Sequence, residues 1–479
     1  MAPMVAQSDL PFRHLCRQHD TDLCFTQMIH AANFARSETF QAGHLDVYRN
    51  GKESSMTPSG MNALKGLDWD DWLSKEMVQK SYHQHQHQHQ DMRTLVDDLL
   101  LGEKDIRKWA TYQEGSGEIN PLIVQIAGHD PKTMSKAAQI ILARTNDSDC
   151  EGEYSGPVSG IDINCGCPQG IARKGRYGAF LMEESADIVC DIISTLRRDL
   201  PQNVGISCKI RIPVNVGQPD GDAVLRERIC KLIDAGVELI TVHGRTVKEN
   251  KTTVRECNWD AIAQVVKIAR EYSGNGDFPI ISNGGIEYSS DIARCLEHTG
   301  ASAVMSSEAL LENPAIFKSG AIDDLNLSPI ELFERQVGFC HDYLDLCALY
   351  PPVPASLGKV GGSFNCIRGH LFKLLYRYLE EHPDIRESLG DSAKVTSIQA
   401  TRDLLYELER RYNIDKPSFK TKKSSWYRRH RDAITSSKMA EKGQTVESEL
   451  GGLSIEEKKT AMRERLKQLK QQRALKIPV

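Results

Sequence analysis

Short apolar runs separated by helical patterns dominate the first part of the chain. The runs span residues 2–5, 23–29, 122–127, 161–164, 206–212, 239–243, 280–283 and 303–306. Most of them are continuously apolar rather than alternating, which is typical of parallel strands that are covered on both faces. Eight such strands, alternating with helices, predict an α/β fold of the (β/α)8 or TIM-barrel type over residues 1–318.

One helix of this series carries its own start signal. Asp130 stands where it can cap the helix, and Pro131 stands at its first position, ahead of the pattern at 134–143. A doubly wound sheet is the structural alternative, but no GxGxxG motif follows the first strand. Residues 1–5 resemble only the tail of a strand, which predicts a truncated or misassigned start.

After the barrel the pattern becomes helical. Residues 328–331 (Ser-Pro-Ile-Glu) combine a capping box with proline at the first helical position. The apolar residues that follow at helical spacing are Phe333, Val337, Cys340, Leu344 and Cys347. The prolines of 351–354 end this helix, and two more are predicted near 364–382 and 397–411. These helices predict a small helical domain at 319–415.

The last part of the chain predicts a basic tail at 416–479. Residues 416–438 carry eight Lys or Arg against one acid, with Trp426, Tyr427 and His430 among them. Basic residues interleaved with aromatics suit contact with RNA, and they also suit a nuclear-import patch. Residues 454–476 predict one charged helix. Between the second and third strands, a polar insertion at 44–120 contains a His-Gln repeat and suggests no chemistry.

Composition narrows the class of protein further. Hydrophobic residues make up 40% of the 479 positions, which is enough for a sizeable core. Thirteen cysteines without a signal peptide predict free thiols and a cytoplasmic location, with a nuclear one also open because of the basic tract. No apolar run approaches the ~18–20 residues of a membrane span, so we expect no membrane association.

Polar residues stand at the carboxyl ends of the predicted strands, where such barrels place their working groups. They are Gln125, Asn164, Lys209, His243, Asn283 and Ser306. A buried Lys209 needs an anionic partner, and the N1/O2 edge of a reduced flavin is one. Asn283-Gly284-Gly285 and Ser306-Ser307 follow the seventh and eighth strands, where these barrels bind phosphate. Each residue alone could be a satisfied core group, but the set favours a flavin site.

A glycine-rich loop follows the fourth strand and begins Asn164-Cys165-Gly166-Cys167-Pro168-Gln169. Cys167 lies over the predicted barrel mouth, and a thiol with a pKa of ~8.5 can donate a proton at neutral pH. Cys165 stands closer to the strand and is predicted to be structural. A Cys-x-Cys pair without a second pair is a poor zinc signature, so no metal is predicted.

The same loop continues into a basic stretch. Arg173, Lys174 and Arg176 form either a solvated surface or a contact with RNA phosphates, and Tyr177 either stacks on a base or packs.

Together these motifs resemble the tRNA-dihydrouridine synthases, FMN-dependent reductases of uridine in tRNA. The matching residues are 2–4, 124–125, 164–169, 178–182, 209, 243–246, 283–285 and 313–314. Residues 28–34 and 368–373 resemble the eukaryotic branch that acts on D-loop positions 16 and 17. The chain departs from the family in its short first strand, in the 306–309 turn, which lacks the usual glycine, and in the insertion.

The resemblance implies FMN as cofactor, NADPH or NADH as reductant, tRNA as partner and a monomeric protein, with Cys167 as the catalytic acid. The cofactor-binding residues that it implies are Pro3, Met4, Val5, Gln125, Lys209, His243, Asn283, Gly284, Gly285, Ser307 and Glu308. The substrate-binding residues are Asn164, Arg173, Lys174, Arg176, Arg245, Arg368, His370 and Lys373. Arg245 and Thr246 alternatively hold the flavin phosphate.

Two other functions remain open at this stage. One is another FMN barrel, such as a dihydroorotate or dihydropyrimidine dehydrogenase, which would need neither the basic loop nor the helical domain. The other is an RNA-binding protein on a degenerate barrel, which the short first strand and the altered 306–309 turn would favour. Flavin absorption of the purified protein separates the last possibility from the two enzymes.

Overall fold

The computed structural model describes residues 1–45, 48–49, 52–54, 121–145, 157–250, 253–274, 276–349, 352, 363–395, 397–414 and 425–427. Residues Met1–Tyr427 form one compact unit, and the second unit, Arg428–Val479, lies outside the described residues. The predicted insertion and basic tail therefore fall almost wholly outside them, and the proposed domain boundaries stay predictions.

Among the described residues, the elements as far as residue 312 are a mixture of strands and helices, and those after it are helical. The strands are β1 Cys24–Phe25, β2 Ile29–His30, β3 Tyr48–Arg49, β4 Lys52–Ser54, β5 Leu122–Ala127, β6 Val158–Cys165, β7 Gly205–Arg211, β8 Leu239–His243, β9 Ile280–Asn283 and β10 Ala303–Met305. The helices as far as residue 312 are α1 Leu10–Arg17, α2 Ala31–Arg36, α3 Glu38–His44, α4 Pro131–Thr145, α5 Gly170–Lys174, α6 Ala179–Glu184, α7 Ala186–Asp199, α8 Pro219–Asp234, α9 Trp259–Ser273, α10 Ser290–Thr299 and α11 Glu308–Glu312. The later ones are α12 Pro329–Leu349, α13 Ser363–Leu374, α14 Tyr376–Leu379, α15 Pro383–Gly390 and α16 Ile398–Ile414.

The main sheet is parallel and follows chain order, β1-β5-β6-β7-β8-β9-β10, with β2 also pairing β5. Since β1 and β2 occupy one position beside β5, these strands fill seven positions. The backbone of Met1 and Ala2 supplies the eighth. The amino group of Met1 donates to Leu23 O at 2.6 Å, Phe25 N donates to Met1 O at 3.3 Å, and Ala2 N donates to Ser306 O at 3.0 Å. The sheet thus closes into the predicted (β/α)8 barrel.

Two of the predicted strands differ from the structure. Residues 2–5 bridge the first and last strands, but they turn after Met4, whose carbonyl accepts from Gln7 N and Ser8 N, so they form no strand. The run 23–29 is split into β1 and β2, because the Thr26 hydroxyl takes the N–H of Gln125 that a continuous ladder would use. The other six predicted strands are confirmed to within three residues at each end.

The two faces of each barrel strand have different chemistry. Outward residues such as Val124, Ile161 and Ile240 are buried and apolar, and they pack in the core that the helices share. Inward residues begin apolar, as Ile123 and Ile281 do. Two positions further on, where the side chain returns to the same face, they become polar. The barrel therefore has an apolar floor and a polar layer near its carboxyl-end mouth.

The helices after the barrel begin as the sequence predicts. Ser328 and Glu331 form the reciprocal capping box, with Ser328 N donating to the Glu331 carboxylate at 2.7 Å and Glu331 N donating to the Ser328 hydroxyl at 3.3 Å. The predicted apolar stripe of α12 is buried. The next predicted helix is instead broken at Leu375 into α13 and α14, and α15 was not predicted. Among the described helices, none is long and apolar enough to cross a membrane.

A buried carboxylate joins these helices to the barrel. Asp9 caps α1 by accepting from Phe12 N at 2.9 Å, and its other oxygen accepts from Tyr343 Oη at 3.1 Å and from His370 Nε2 at 3.0 Å. Burial opposes the charged form of Asp9, but His370 and these donors outweigh it and lower the pKa of the carboxyl. Burial also lowers the pKa of His370, so the ring donates in its neutral form.

We expect His370→Leu to lower the free energy of unfolding by about 1–3 kcal/mol, because it removes a donor from a buried carboxylate. His370→Gln is the matched control, since its amide can still donate to Asp9. Thermal unfolding of both variants beside the wild type checks this. Equal unfolding temperatures for the Leu and Gln variants would contradict the assigned bond.

Candidate active site

A chain of buried hydrogen bonds crosses the polar layer of the barrel. Ser207 Oγ donates to Asp162 Oδ1 at 2.7 Å, and Gln125 Nε2 donates to Asp162 Oδ2 at 2.7 Å. Asn164 Nδ2 donates to Gln125 Oε1 at 2.7 Å, and Asn164 Oδ1 accepts from Cys167 N at 3.0 Å. Burial raises the pKa of Asp162 to about 6, against the donors that favour its charged form. The chain of bonds fixes the orientation of Gln125 and Asn164 and thereby the start of the cysteine loop.

The cysteine loop folds back on itself around Gly178. Gly178 N donates to Asn164 O at 3.2 Å, and Ala179 N donates to Cys167 O at 3.1 Å. Gly178 has a φ of +73°, and a Cβ there would lie 2.6 Å from Cys167 O. A residue with a side chain at this position would therefore displace Cys167.

The two cysteines of the loop have different surroundings. Cys167 is half-buried, and burial raises the pKa of its thiol, which keeps the thiol protonated at neutral pH. Cys165 is buried against Cys208, as expected for a structural residue. Cys167 therefore has the exposure and the proton that an acid catalyst needs.

Three cations stand in a row at the ends of β7 and β8 without a carboxylate partner among the described residues. Lys209 Nζ donates to Asn283 Oδ1 at 2.6 Å, and Arg211 Nε donates to Gly166 O at 2.8 Å. Arg245 Nε donates to Arg255 O at 2.7 Å, and its Nη1 lies 3.2 Å from His243 Nε2. Arg245 is buried, and Lys209 and Arg211 are partly buried. Removing a cation from water is costly when its hydrogen-bond partners are all neutral, so this row is suited to an anion.

The pKa values at this row agree with that conclusion. Burial, followed by repulsion from Arg211, lowers the pKa of Lys209 to about 8. Burial, followed by repulsion from Arg245, lowers the pKa of Arg211 to about 10. Burial and the neighbouring cations hold the pKa of His243 well below its usual value, so its ring is neutral. An anion bound here would reverse each of these shifts.

The glycines after β9 lie beside this row. Asn283 Nδ2 donates to Met305 O at 3.0 Å, which ties the ends of β9 and β10 together. Gly284 and Gly285 have φ values of +104° and +80°, and a Cβ on Gly285 would lie 2.8 Å from Trp259 Nε1. The backbone is thus bare at the place where the sequence predicts a phosphate.

The remaining predicted cofactor residues flank this end of the barrel. Pro3, Met4 and Val5 follow Ala2, whose amide bonds Ser306, and the side chain of Val5 is largely exposed. Ser307 is half-buried and precedes α11, and Glu308 is exposed at the first position of that helix. The structure describes both places, and their role in binding stays a prediction.

The basic part of the cysteine loop faces solvent. Arg173, Lys174 and Arg176 are exposed or half-exposed, and Arg173 pairs loosely with Glu184 at 3.4 Å. Tyr177 is instead buried, and its ring meets the edge of His30. It therefore packs beneath the loop and is not available to stack on a base.

The residues predicted on the helical domain are less accessible than the sequence suggested. His370 is fully buried on Asp9, so the prediction that it contacts substrate is wrong. Lys373 Nζ donates to Gln7 Oε1 at 2.6 Å and to Gly369 O at 2.7 Å. Arg368 is half-buried and donates to Gly390 O at 3.3 Å. The bond to Gln7 ties the helical domain to the loop that follows Met4, and the other two bonds lie within the helical domain.

Sequence reasoning missed Asp162 and Arg211. Asp162 is a fully buried acid in the middle of an apolar strand, and Arg211 lies two residues after Lys209 on the same face. Strand alternation would have identified both, because residues two apart point into the same layer. Within the described residues, no group of three or more His, Cys, Asp or Glu side chains could hold a metal ion.

Comparison with known proteins adds an independent finding. Residues 1–55 and 73–346 match the sequence profile of the family described as "Dihydrouridine synthase (Dus)". A tRNA-dihydrouridine(16/17) synthase of Saccharomyces cerevisiae is 29% identical over 397 residues, which are 83% of this chain and 70% of the relative. The protein of that name from Schizosaccharomyces pombe is 29% identical over 391 residues, 81% of this chain and 72% of the relative. A tRNA-dihydrouridine(20a/20b) synthase-like protein of Mus musculus is 30% identical over 318 residues, 66% of this chain and 68% of the relative.

We expect Gln125→Glu to lower the free energy of unfolding by about 1–3 kcal/mol at pH 8, because a carboxylate would replace the donor that Asp162 needs. The loss should shrink towards pH 5.5, where the pair of acids shares a proton. Adding Asp162→Asn should restore stability, since the amide introduced at position 162 can donate to the carboxylate introduced at position 125. Denaturant unfolding at both pH values checks this, and a double variant no more stable than Gln125→Glu would contradict the chain of bonds.

Proposed function

The chain belongs to the dihydrouridine synthase family, and on this premise we propose that it reduces uridine to 5,6-dihydrouridine in the D-loop of tRNA. The resident cofactor in this proposal is FMN, and the reductant is NADPH or NADH. The observation that carries the proposal is the half-buried Cys167 on a loop that is bonded to a row of cations without carboxylate partners among the described residues. Arg211 connects the two, because it donates to the carbonyl of Gly166, the residue before Cys167.

Positions 16 and 17 are the proposed target within the D-loop. The relatives whose names specify 16/17 match 81–83% of this chain, including part of the region after the barrel, whereas the relative named 20a/20b matches 66%. The name of the first two also includes NAD(P)(+), which supports a nicotinamide reductant.

The residues at the mouth fit a flavin mononucleotide. Lys209 would hold the N1/O2 edge of the ring, and its lack of an ion-pair partner among the described residues is what an anionic edge would satisfy. The bare backbone of Asn283, Gly284 and Gly285 would hold the phosphate. Gln125 and His243, both neutral, lie in the same layer and complete the cradle.

The chemistry divides between cofactor and protein. When bound, reduced FMN supplies the hydride that adds to C6 of uracil. Cys167 holds a proton on Sγ and gives it to C5 on the opposite face, and the thiolate that remains takes a proton back from solvent. Because burial raises the pKa of this thiol, the acid stays loaded over the physiological range.

The tRNA side of the site is basic. Arg173, Lys174 and Arg176 lie on the solvent side of the cysteine loop and can meet phosphates near the target nucleotide. The uridine must leave its stack to reach the barrel mouth, which favours a loop nucleotide over a paired one. The two alternative functions are less well supported, because the family match covers every predicted catalytic and cofactor residue.

We expect Cys167→Ala to keep its flavin but to form dihydrouridine ~10²–10⁴-fold more slowly, since it loses a positioned general acid. Cys165→Ala is the matched control and should keep most of the rate. Single-turnover reduction of unmodified tRNA measures both. A normal rate in Cys167→Ala together with a lost rate in Cys165→Ala would show that the acid is Cys165 and not Cys167.

We expect the Lys209→Met protein to lose flavin during purification, and we expect NADPH to reduce its remaining flavin more slowly. The substitution removes the cation that would stabilise the anionic N1/O2 edge of the reduced flavin. Lys231→Met is the control, because this exposed lysine of α8 pairs with Glu227 of the same helix and with Asp187 of α7. Flavin absorbance per protein measures retention without any turnover. Equal flavin content in both variants would rule out the proposed role of Lys209.

A further inference from the structure

The first turn of α9 lies against the glycines that follow β9. Trp259 is the first residue of α9, and its indole Nε1 donates to Gly284 O at 3.1 Å. A Cβ on Gly285 would lie 2.8 Å from the same nitrogen and 3.1 Å from the Cβ of Cys257. Because there is no room for a side chain between them, the indole contacts the glycine backbone directly.

The carbonyl of the preceding residue is held from the same side of the chain. Asn283 O accepts from Gly244 N at 3.2 Å and from Cys257 Sγ at 3.5 Å. Cys257 also packs on Gly244, because a Cβ on that glycine would lie 2.6 Å from the sulfur. The carbonyls of two successive residues, Asn283 and Gly284, are therefore both fixed by donors outside β9.

Trp259 is itself held in place at the start of its helix. Asn258 caps α9, with its side chain accepting from Ala261 N at 2.9 Å, and its own N–H donates to Gly244 O at 2.7 Å. The guanidinium of Arg294, in α10, lies 5.9 Å from the centre of the indole ring, within the range of a cation–π contact. The indole is therefore fixed by the cap before it and by the neighbouring helix.

The other end of the glycine loop is fixed by α10. Asp291 Oδ2 accepts from Glu287 N and from Tyr288 N, both at 2.9 Å, and Asp291 Oδ1 accepts from Arg294 Nη1 at 2.8 Å. The loop that begins at Gly284 is thus held at its first carbonyl by α9 and three residues later by α10. Bonds at both ends orient the loop without any help from a ligand.

Fixing a carbonyl also fixes the amide of the next residue. The peptide bonds after Asn283 and Gly284 are trans, and in a planar trans peptide the N–H points opposite to the C=O. The N–H groups of Gly284 and Gly285 are therefore directed away from the donors that hold the two carbonyls. Successive amides on a backbone without side chains are suited to bind phosphate oxygens.

We propose that Trp259 is a positioning residue for the flavin phosphate, because its indole N–H holds Gly284 O and so turns the amide of Gly285 towards a phosphate oxygen. The inference rests on the proposed function, since it takes the phosphate of FMN as the ligand. A packing role needs only the area of the ring, which a phenylalanine largely keeps. A positioning role needs the N–H, which a phenylalanine lacks. Because riboflavin has no phosphate, the loss of this N–H should affect only the preference for FMN over riboflavin.

The test compares the binding of these two flavins. Full-length protein freed of flavin is titrated with FMN and with riboflavin, and quenching of flavin fluorescence gives each Kd. Trp259→Phe should raise the Kd for FMN about 5–10-fold, the loss of one hydrogen bond, and leave the Kd for riboflavin within about 2-fold of the wild type. Tyr272→Phe is the matched control and should change neither Kd, because it removes from the same helix a hydroxyl that bonds Asp234 of α8.

The pattern across the two flavins separates positioning from a general structural effect. If Trp259→Phe weakens FMN and riboflavin equally, the indole only supports the fold and the proposal is wrong. A Trp259→Phe protein that keeps the full preference for FMN, or a wild type that has no such preference, would also overturn it.

The same proteins distinguish this inference from the proposed function. If the wild type prefers FMN and Trp259→Phe loses the preference, but the wild type forms no dihydrouridine in tRNA, the proposed function fails and the role of Trp259 stands. If the wild type forms dihydrouridine and Trp259→Phe keeps the preference, the function stands and the role of Trp259 fails.

Discussion

Uncompensated positive charge at the mouth of the barrel is the constraint on which the site depends. Lys209 and Arg211 are partly buried and Arg245 is buried, and within the described residues their hydrogen-bond partners are backbone carbonyls, an amide and a neutral imidazole, not carboxylates. A cationic side chain that is removed from water normally pairs with a counter-ion or loses its proton. Burial and repulsion from Arg211 accordingly lower the pKa of Lys209. A bound anion would supply the negative charge that these three side chains lack.

Three buried acids, Asp162, Asp9 and Glu312, organise the fold and form no ion pair with these cations. Asp162 lies below the mouth and orients amides, while Asp9 and Glu312 each accept donors from the helices that follow the barrel. A single carboxylate at either of the last two sites serves both parts of the chain. Separating the parts would leave it buried without enough donors, or exposed beside an apolar face. The helical region therefore behaves as a component of the barrel's carboxyl end.

The sequence alone predicted the barrel because strand burial is a local property. Six strands and the capping box at Ser328 are where the patterns put them, since continuous apolar runs and cap residues act over a few positions. Prediction from the sequence failed for residues whose hydrogen-bond partners are distant in the sequence. In the sequence His370 resembles a surface histidine among basic residues, but in the structure it bonds Asp9. Asp162 interrupts an apolar run in the sequence, but in the structure it accepts hydrogen bonds from Gln125 and Ser207. The Cys167 loop was predictable because its glycines and the cysteine itself lie close together in the sequence.

The bond between Asp9 and His370 has a consequence for exchanging parts between relatives. The loop after Met4 contributes Gln7 and Asp9 to the helical region, although both belong to the barrel by sequence. A chimera that joins this barrel to the helices of another family member must therefore match the donor helices to those two side chains. The boundary between the two parts of the protein is therefore not the linker between barrel and helices. The contacts cross at the first loop of the barrel, so that loop should be exchanged together with the helices.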